Sequence, residues 1–87
     1  MGLGTAEFLL NVDDEFQGDV LANFEDAAKN IVTLEDFILY LEQEIAKTHR
    51  VLTRRTITES VLRIASEQAG VPVERISLTD SIVDLFD

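Results

Sequence analysis

The residues able to do chemistry in this sequence are few and stand apart. His49 is the sole histidine and there is no cysteine, so disulfides, thiolate metal sites and multi-histidine sites are excluded. A hydrolytic centre needs a nucleophile, a base within reach of it and an oxyanion-stabilising group, and no motif of that kind is visible. His49 lies among Lys47, Thr48 and Arg50 and reads as part of a solvated connector. No catalytic and no metal-ligating residue is expected.

What the sequence has in abundance is carboxylate. The formal net charge is -10 over 87 residues. Residues 1–46 alone carry -10, residues 47–58 carry +4 through Lys47, Arg50, Arg54 and Arg55, and the remainder is again acidic. Such a surface repels nucleic-acid phosphates and attracts proteins with basic docking patches, raising association rates more than affinity. The basic segment is a poor lipid or phosphate anchor, because an acidic body flanks it and screening limits its reach to about 8 Å. No apolar run approaches the roughly 20 residues that span a bilayer, and no basic-then-apolar leader pattern opens the chain. Basic protein partners, no nucleic acid, no membrane and a cytoplasmic location are the expectations.

The elements that must position these charges read as helices. Leu3, Ala6, Leu9, Leu10 and Phe16 recur near helical spacing, with Glu7, Asp13 and Asp14 on the remaining surface, and Gln17 and Gly18 suit the stop. Phe24 to Lys29 predicts a short helix. Thr33 followed by Asp36 suits a helix start, and Leu34, Phe37, Ile38, Leu41 and Ile45 supply its apolar stripe. Ala46 to Arg55 reads as connector. Thr56 to Ala69 predicts the next helix, with Thr56 and Glu59 at its start, Ile57, Val61, Ile64 and Ala65 inward, and Gly70 and Pro72 at its end. Val73 to Asp87 shows no clean period and reads as a long packed loop. The five phenylalanines are expected in the core. One all-α domain, a small four-helix bundle, follows.

Two stretches resemble the acyl carrier protein family. Residues 56–85, TITESVLRIASEQAGVPVERISLTDSIVDL, are similar to that family's first helix and long first loop, through SEQAGV, ERI and TDSIVDL. Residues 3–45 resemble the rest, with LGTAEFLLNVDDEF similar to the second helix and NIVTLEDFILYLEQEI to the turn into the last; LGTAEFLL with DLF also resembles the D-alanyl carrier proteins. The order is rotated, because the segment similar to the first helix stands after the segment similar to the last. The resemblance thus implies a circularly permuted carrier fold of acyl-carrier-protein type, with residues 46–55 joining the old termini. Ends of compact domains often lie close together, so the joining is physically reasonable. If the chain instead spans parts of two tandem domains, a domain-swapped dimer replaces the monomer.

In the family an Asp-Ser-Leu motif opens the second helix, and its serine carries 4′-phosphopantetheine, whose thiol holds acyl or aminoacyl cargo for synthase, ligase or transferase partners. Here Leu3 matches the leucine, so Gly2 stands at the serine position and Met1 at the aspartate. Glycine has no hydroxyl, so the prosthetic group is not expected on this chain. Asp80-Ser81-Ile82 imitates the motif, but it falls in the segment similar to the first loop, with too little chain after it for a recognition helix. Ser81 is a fallback attachment site at most, and a turn or cap residue on its local pattern. Glu7, Asp13, Asp14 and Glu15, with Glu35 and Asp36, occupy positions that match the family's enzyme-docking face. A cargo-free interaction or structural module that keeps the docking surfaces, or an engineered permutant that retains the carrier fold, is the other reading.

Overall fold

The structure, a computed structural model, describes residues 3–18, 20–48 and 50–86. Met1, Gly2, Asp19, His49 and Asp87, among them the expected serine position and the lone histidine, lie outside the described residues. The chain is all-α in its regular elements: α1 (Leu3–Glu15), α2 (Phe24–Ala27), α3 (Leu34–Ala46), α4 (Arg54–Ala69) and α5 (Ile82–Phe86), with 3₁₀ turns at Ala28–Asn30 and Val73–Arg75. Among the described residues three helices are long and two short. The long helices α1, α3 and α4 pack together around one core, and α5 closes against α1 and α4.

Helix α1 turns Phe8, Leu9, Val12 and Phe16 inward, a spacing of three and four residues that keeps them on one side. Leu10 does not belong to that stripe as its sequence suggested, for it is 64% exposed. A residue two places from Phe8 lies about 200° around the helix, and burying Phe8 puts Leu10 outside.

The helix ends in a Schellman turn. Gly18 N–H donates to the Asp13 carbonyl and Gln17 N–H to that of Asp14, and the left-handed position between them is filled by Gln17, φ 66, where glycine is the usual occupant. A side chain in that conformation costs roughly 1 kcal/mol. Gln17→Gly is therefore expected to stabilise the protein by about 0.5–1 kcal/mol, read as a higher urea midpoint at unchanged m-value.

Helix α3 begins as its sequence indicated. Thr33 accepts from Asp36 N–H, and the Asp36 carboxylate accepts from Thr33 N–H, a reciprocal capping box. The remaining donors of that end are also used: Leu34 N–H bonds to the Asp80 carbonyl and Glu35 N–H to that of Leu78. Ile82 N–H returns the contact to Val32, forming an isolated bridge of Thr33 with Ser81. The loop after α4 is thereby stitched to the start of α3.

Two boundaries differ from the sequence reading. Helix α4 starts at Arg54, with Thr53 as its N-cap accepting from Thr56 N–H. Thr53 and Thr56 carry the same capping chemistry; with the start at Thr53 the extra turn sets Arg54 3.4 Å from Glu42 and Arg55 3.1 Å from Glu59. The C-terminal stretch is not all loop, since Ile82–Phe86 is helical. Ile82, Leu85 and Phe86 lie three and four apart and all meet the core, a helical period too short to stand out beside exposed Val83. Ser81 assists at the start, its Oγ accepting weakly from Asp84 N–H at 3.4 Å. The stop of α4 is as expected, with Gly70 left-handed at φ 70.

An aromatic cluster centres the core. Phe37 lies between Phe8 (5.7 Å), Phe24 (5.9 Å) and Tyr40 (6.1 Å), and Phe86 stacks on Phe8 at 4.3 Å. That stack brings the end of α5 against the first turn of α1, where the Phe86 carbonyl rests on Gly4.

Candidate functional site

The spacing of Glu7, Leu10 and Asp14 puts them on the outer side of α1, at three- and four-residue steps, and all three are exposed. They form an apolar residue flanked by two carboxylates. Sequence reasoning identified the carboxylates and missed Leu10, because a leucine near helical spacing was taken inward. The discriminating signal was present: a stripe through Phe8, Leu9, Val12 and Phe16 leaves Leu10 opposite.

The other acidic candidates are distributed differently. Asp13 is half-buried, and its Oδ1 accepts from Val20 N–H at 3.2 Å. Glu15 is held by Arg63 at 2.9 Å, an ion pair between α1 and α4. Glu7 is partly engaged, accepting from Gln68 Nε2 at 3.0 Å. Asp36 is used inside the capping box, while Glu35 is exposed in the first turn of α3. Free outward charge on α1 is thus concentrated at Asp14 and Glu7 beside Leu10.

The basic connector is largely neutralised. Lys47 pairs with Glu44 at 2.7 Å, Arg54 with Glu42 and Arg55 with Glu59. Arg50 is half-buried and donates to the Phe16 carbonyl, closing the C-terminal end of α1. The segment acts as an internal partner of nearby acids, and Arg50 makes it less of a free loop than its composition suggested.

Beside α1 lies an apolar groove of about 650 Å³. Thr5 and Leu9 of α1 form one side, Leu21, Phe24, Ala28 and Ile31 a second, and Ser81, Ile82 and Val83 a third, with Glu25 and Val32 completing the lining. Of the phenylalanines, Phe8, Phe16 and Phe37 are core and Phe24 faces the groove. Ser81 is half-buried in the wall of this groove. Among the described residues no helix is long and apolar enough to cross a membrane.

Two carboxylates titrate abnormally. The backbone N–H groups of Thr33, then Val32, hold Asp36 below the usual carboxylate range. Glu44, 7% exposed, is also held low, chiefly by the Lys47 ammonium and further by Asn23, which together outweigh its burial. Both folded-state pKa values are depressed, so each contributes stability that is present above about pH 4 and is lost as the pH falls through the carboxylate range to the folded pKa. Relief of repulsion among the other carboxylates acts in the opposite sense over that range. The measurable quantity is therefore a difference: urea unfolding should show wild type more stable than Asp36→Asn/Glu44→Gln at pH 7, with the gap narrowing toward pH 3.

No family model, no curated protein and no solved structure matches this chain.

Proposed function

We propose that this chain is a non-enzymatic, carrier-type helical domain in circularly permuted order, which docks basic partner enzymes through the Glu7–Leu10–Asp14 face without a tethered cargo. The observation that carries the reading is the closure of the chain on itself. The Phe86 carbonyl lies against Gly4 and the Phe86 ring stacks on Phe8, so the end of α5 lies beside the start of α1, which supports reading the elements in the order α4, loop, α5, α1, α2, α3. Read so, the chain follows the first helix, long first loop and later helices of the acyl carrier proteins that residues 56–85 and 3–45 resemble.

The family presents thioester-bound intermediates on phosphopantetheine. Gly2 supplies no hydroxyl for it, which favours docking without cargo for this chain. The groove beside α1 supports the carrier reading in shape, since family members shelter acyl chains between helices. A chain with neither cysteine nor the prosthetic group has no thiol to hold such a cargo there as a thioester.

Charge alone does not make a docking face, because exposed carboxylates are usually only solvated. An exposed leucine between two carboxylates is more specific, offering an apolar anchor with a complementary rim. Binding to a 4′-phosphopantetheinyl transferase with a basic docking patch tests it by calorimetric titration. Leu10→Ala should weaken binding about tenfold, and Glu7→Lys/Asp14→Lys should weaken it further while lowering its salt sensitivity. Binding unchanged by both substitutions would discard this face.

A further inference from the structure

The links between helices differ in how firmly their backbone is held. In the link from α1 to α2, Val20 is fully buried, its N–H donates to Asp13 Oδ1 and its carbonyl accepts from the Tyr40 hydroxyl. Ahead of α3, Val32 N–H donates to the Asp36 carboxylate and the Val32 carbonyl accepts from Ile82 N–H. The long link from α4 to α5 is held at Val71, whose N–H and carbonyl both bond to Ser66, and at Leu78 and Asp80 by the first amides of α3.

The link from α3 to α4 is the exception. Val51 is 95% exposed, and Leu52 and Thr53 are exposed beside it. Among the described residues no hydrogen bond is made by Val51 or Leu52. Residues 50–53 have no regular structure, and Thr53 is extended at φ -73, ψ 155. Endopeptidases take substrates as extended strands, so exposure and unpaired backbone decide where a folded chain is cut. Val32 and Val83 are also exposed, but the first has both backbone groups bonded and the second lies inside α5.

We propose that Arg50–Thr53 is a processing site, at which an endopeptidase with an aliphatic specificity pocket cuts the Val51–Leu52 bond and leaves a folded, two-chain domain. One water molecule adds across the amide, giving a carboxylate on Val51 and an ammonium on Leu52. The pieces stay together because the core is shared: Ile57, Val61, Ile64, Ala65 and Ile82 of the second pack with residues of α1 and α3 from the first. The Glu15–Arg63 ion pair and the Leu34–Asp80 and Glu35–Leu78 backbone bonds also join them. Cutting turns the folding of one chain into the association of two, so the integrity of the domain becomes dependent on concentration. The inference goes beyond partner docking and does not depend on it, since Glu7, Leu10 and Asp14 lie far from the cut in sequence, on one piece.

The test is brief digestion of the full chain with a small amount of an elastase-type serine endopeptidase, followed by intact mass and peptide mapping. The first products should be residues 1–51 and 52–87, eluting together from gel filtration at the position of the uncut domain and keeping its helical circular dichroism. The urea midpoint of the cut domain should fall on about tenfold dilution, while that of the uncut domain stays fixed. Val51→Asp places a charge that an aliphatic pocket rejects, and should slow the first cut about tenfold; at so exposed a side chain the uncut midpoint should not move. A first cut at Val32, at Val83 or in the link from α4 to α5 would overturn the proposal. So would a folded chain that resists cutting at Val51, a Val51→Asp chain cut as fast, or pieces that separate, unfold or show a midpoint independent of concentration.

Discussion

Phe37→Ala should cost about 3–5 kcal/mol, the largest effect of any single substitution considered. Phe37 is fully buried and touches rings from α1, α2 and α3 together, so truncation leaves a cavity that no one neighbour can fill. A domain of this size has a total stability on the order of 4–13 kcal/mol. The variant should therefore unfold at much lower urea, with a populated unfolded state at 37 °C. Phe24→Ala removes a half-exposed ring at the groove and should cost clearly less. Equal costs at the two positions would mean that the core does not centre on Phe37.

The second large effect concerns Gly4, where sign as well as size is informative. Within a helix, glycine to alanine ordinarily stabilises by up to about 1 kcal/mol. At Gly4 an added Cβ would stand 2.0 Å from the Phe86 carbonyl oxygen and 3.0 Å from its carbon, and a backbone group cannot rotate away as a side chain can. Either α5 moves or α1 does. Moving α5 gives up the Phe8–Phe86 stack, worth about 0.5–1.5 kcal/mol beyond area, and part of the burial of Leu85 and Phe86. Gly4→Ala should thus destabilise by about 1–2 kcal/mol, and Gly4→Val by more. In a Phe86→Ala background α5 has less to lose, so the Gly4→Ala penalty should shrink. Strict additivity of the pair, or a stabilising Gly4→Ala, would contradict the closure of α5 on α1.

How much of this was legible in the sequence depends on the element. Helix α3 was readable throughout, since Thr33 and Asp36 specify its start and a regular apolar stripe fixes its face. Helix α4 was readable in its interior and stop, but its start was ambiguous between two threonines of the same capping chemistry, of which Thr53 is the N-cap. The C-terminal stretch failed for another reason: a five-residue helix offers a single repeat of its period, and its stability comes from Phe8 and the start of α3, which no local window contains. The acidic candidates were found by charge, yet charge could not separate solvated Asp14 from Asp36, consumed in a cap, or Asp13, bonded to Val20. Leu10 and the groove needed the orientation of α1 and the placement of α2, both products of packing.

The proposed carrier assignment is tested most directly on a chain rearranged to the order the acyl-carrier resemblance implies: residues 54–87 followed by 1–46, carrying Met1→Asp and Gly2→Ser. Both this chain and the unrearranged one are incubated with coenzyme A and a broad-specificity phosphopantetheinyl transferase, and the intact mass is read with peptide mapping of any adduct. A permuted carrier domain predicts that the reordered chain folds and gains one phosphopantetheine at residue 2, while the unrearranged chain gains none. A folded reordered chain that remains unmodified, or an unrearranged chain modified at Ser81, would contradict the assignment.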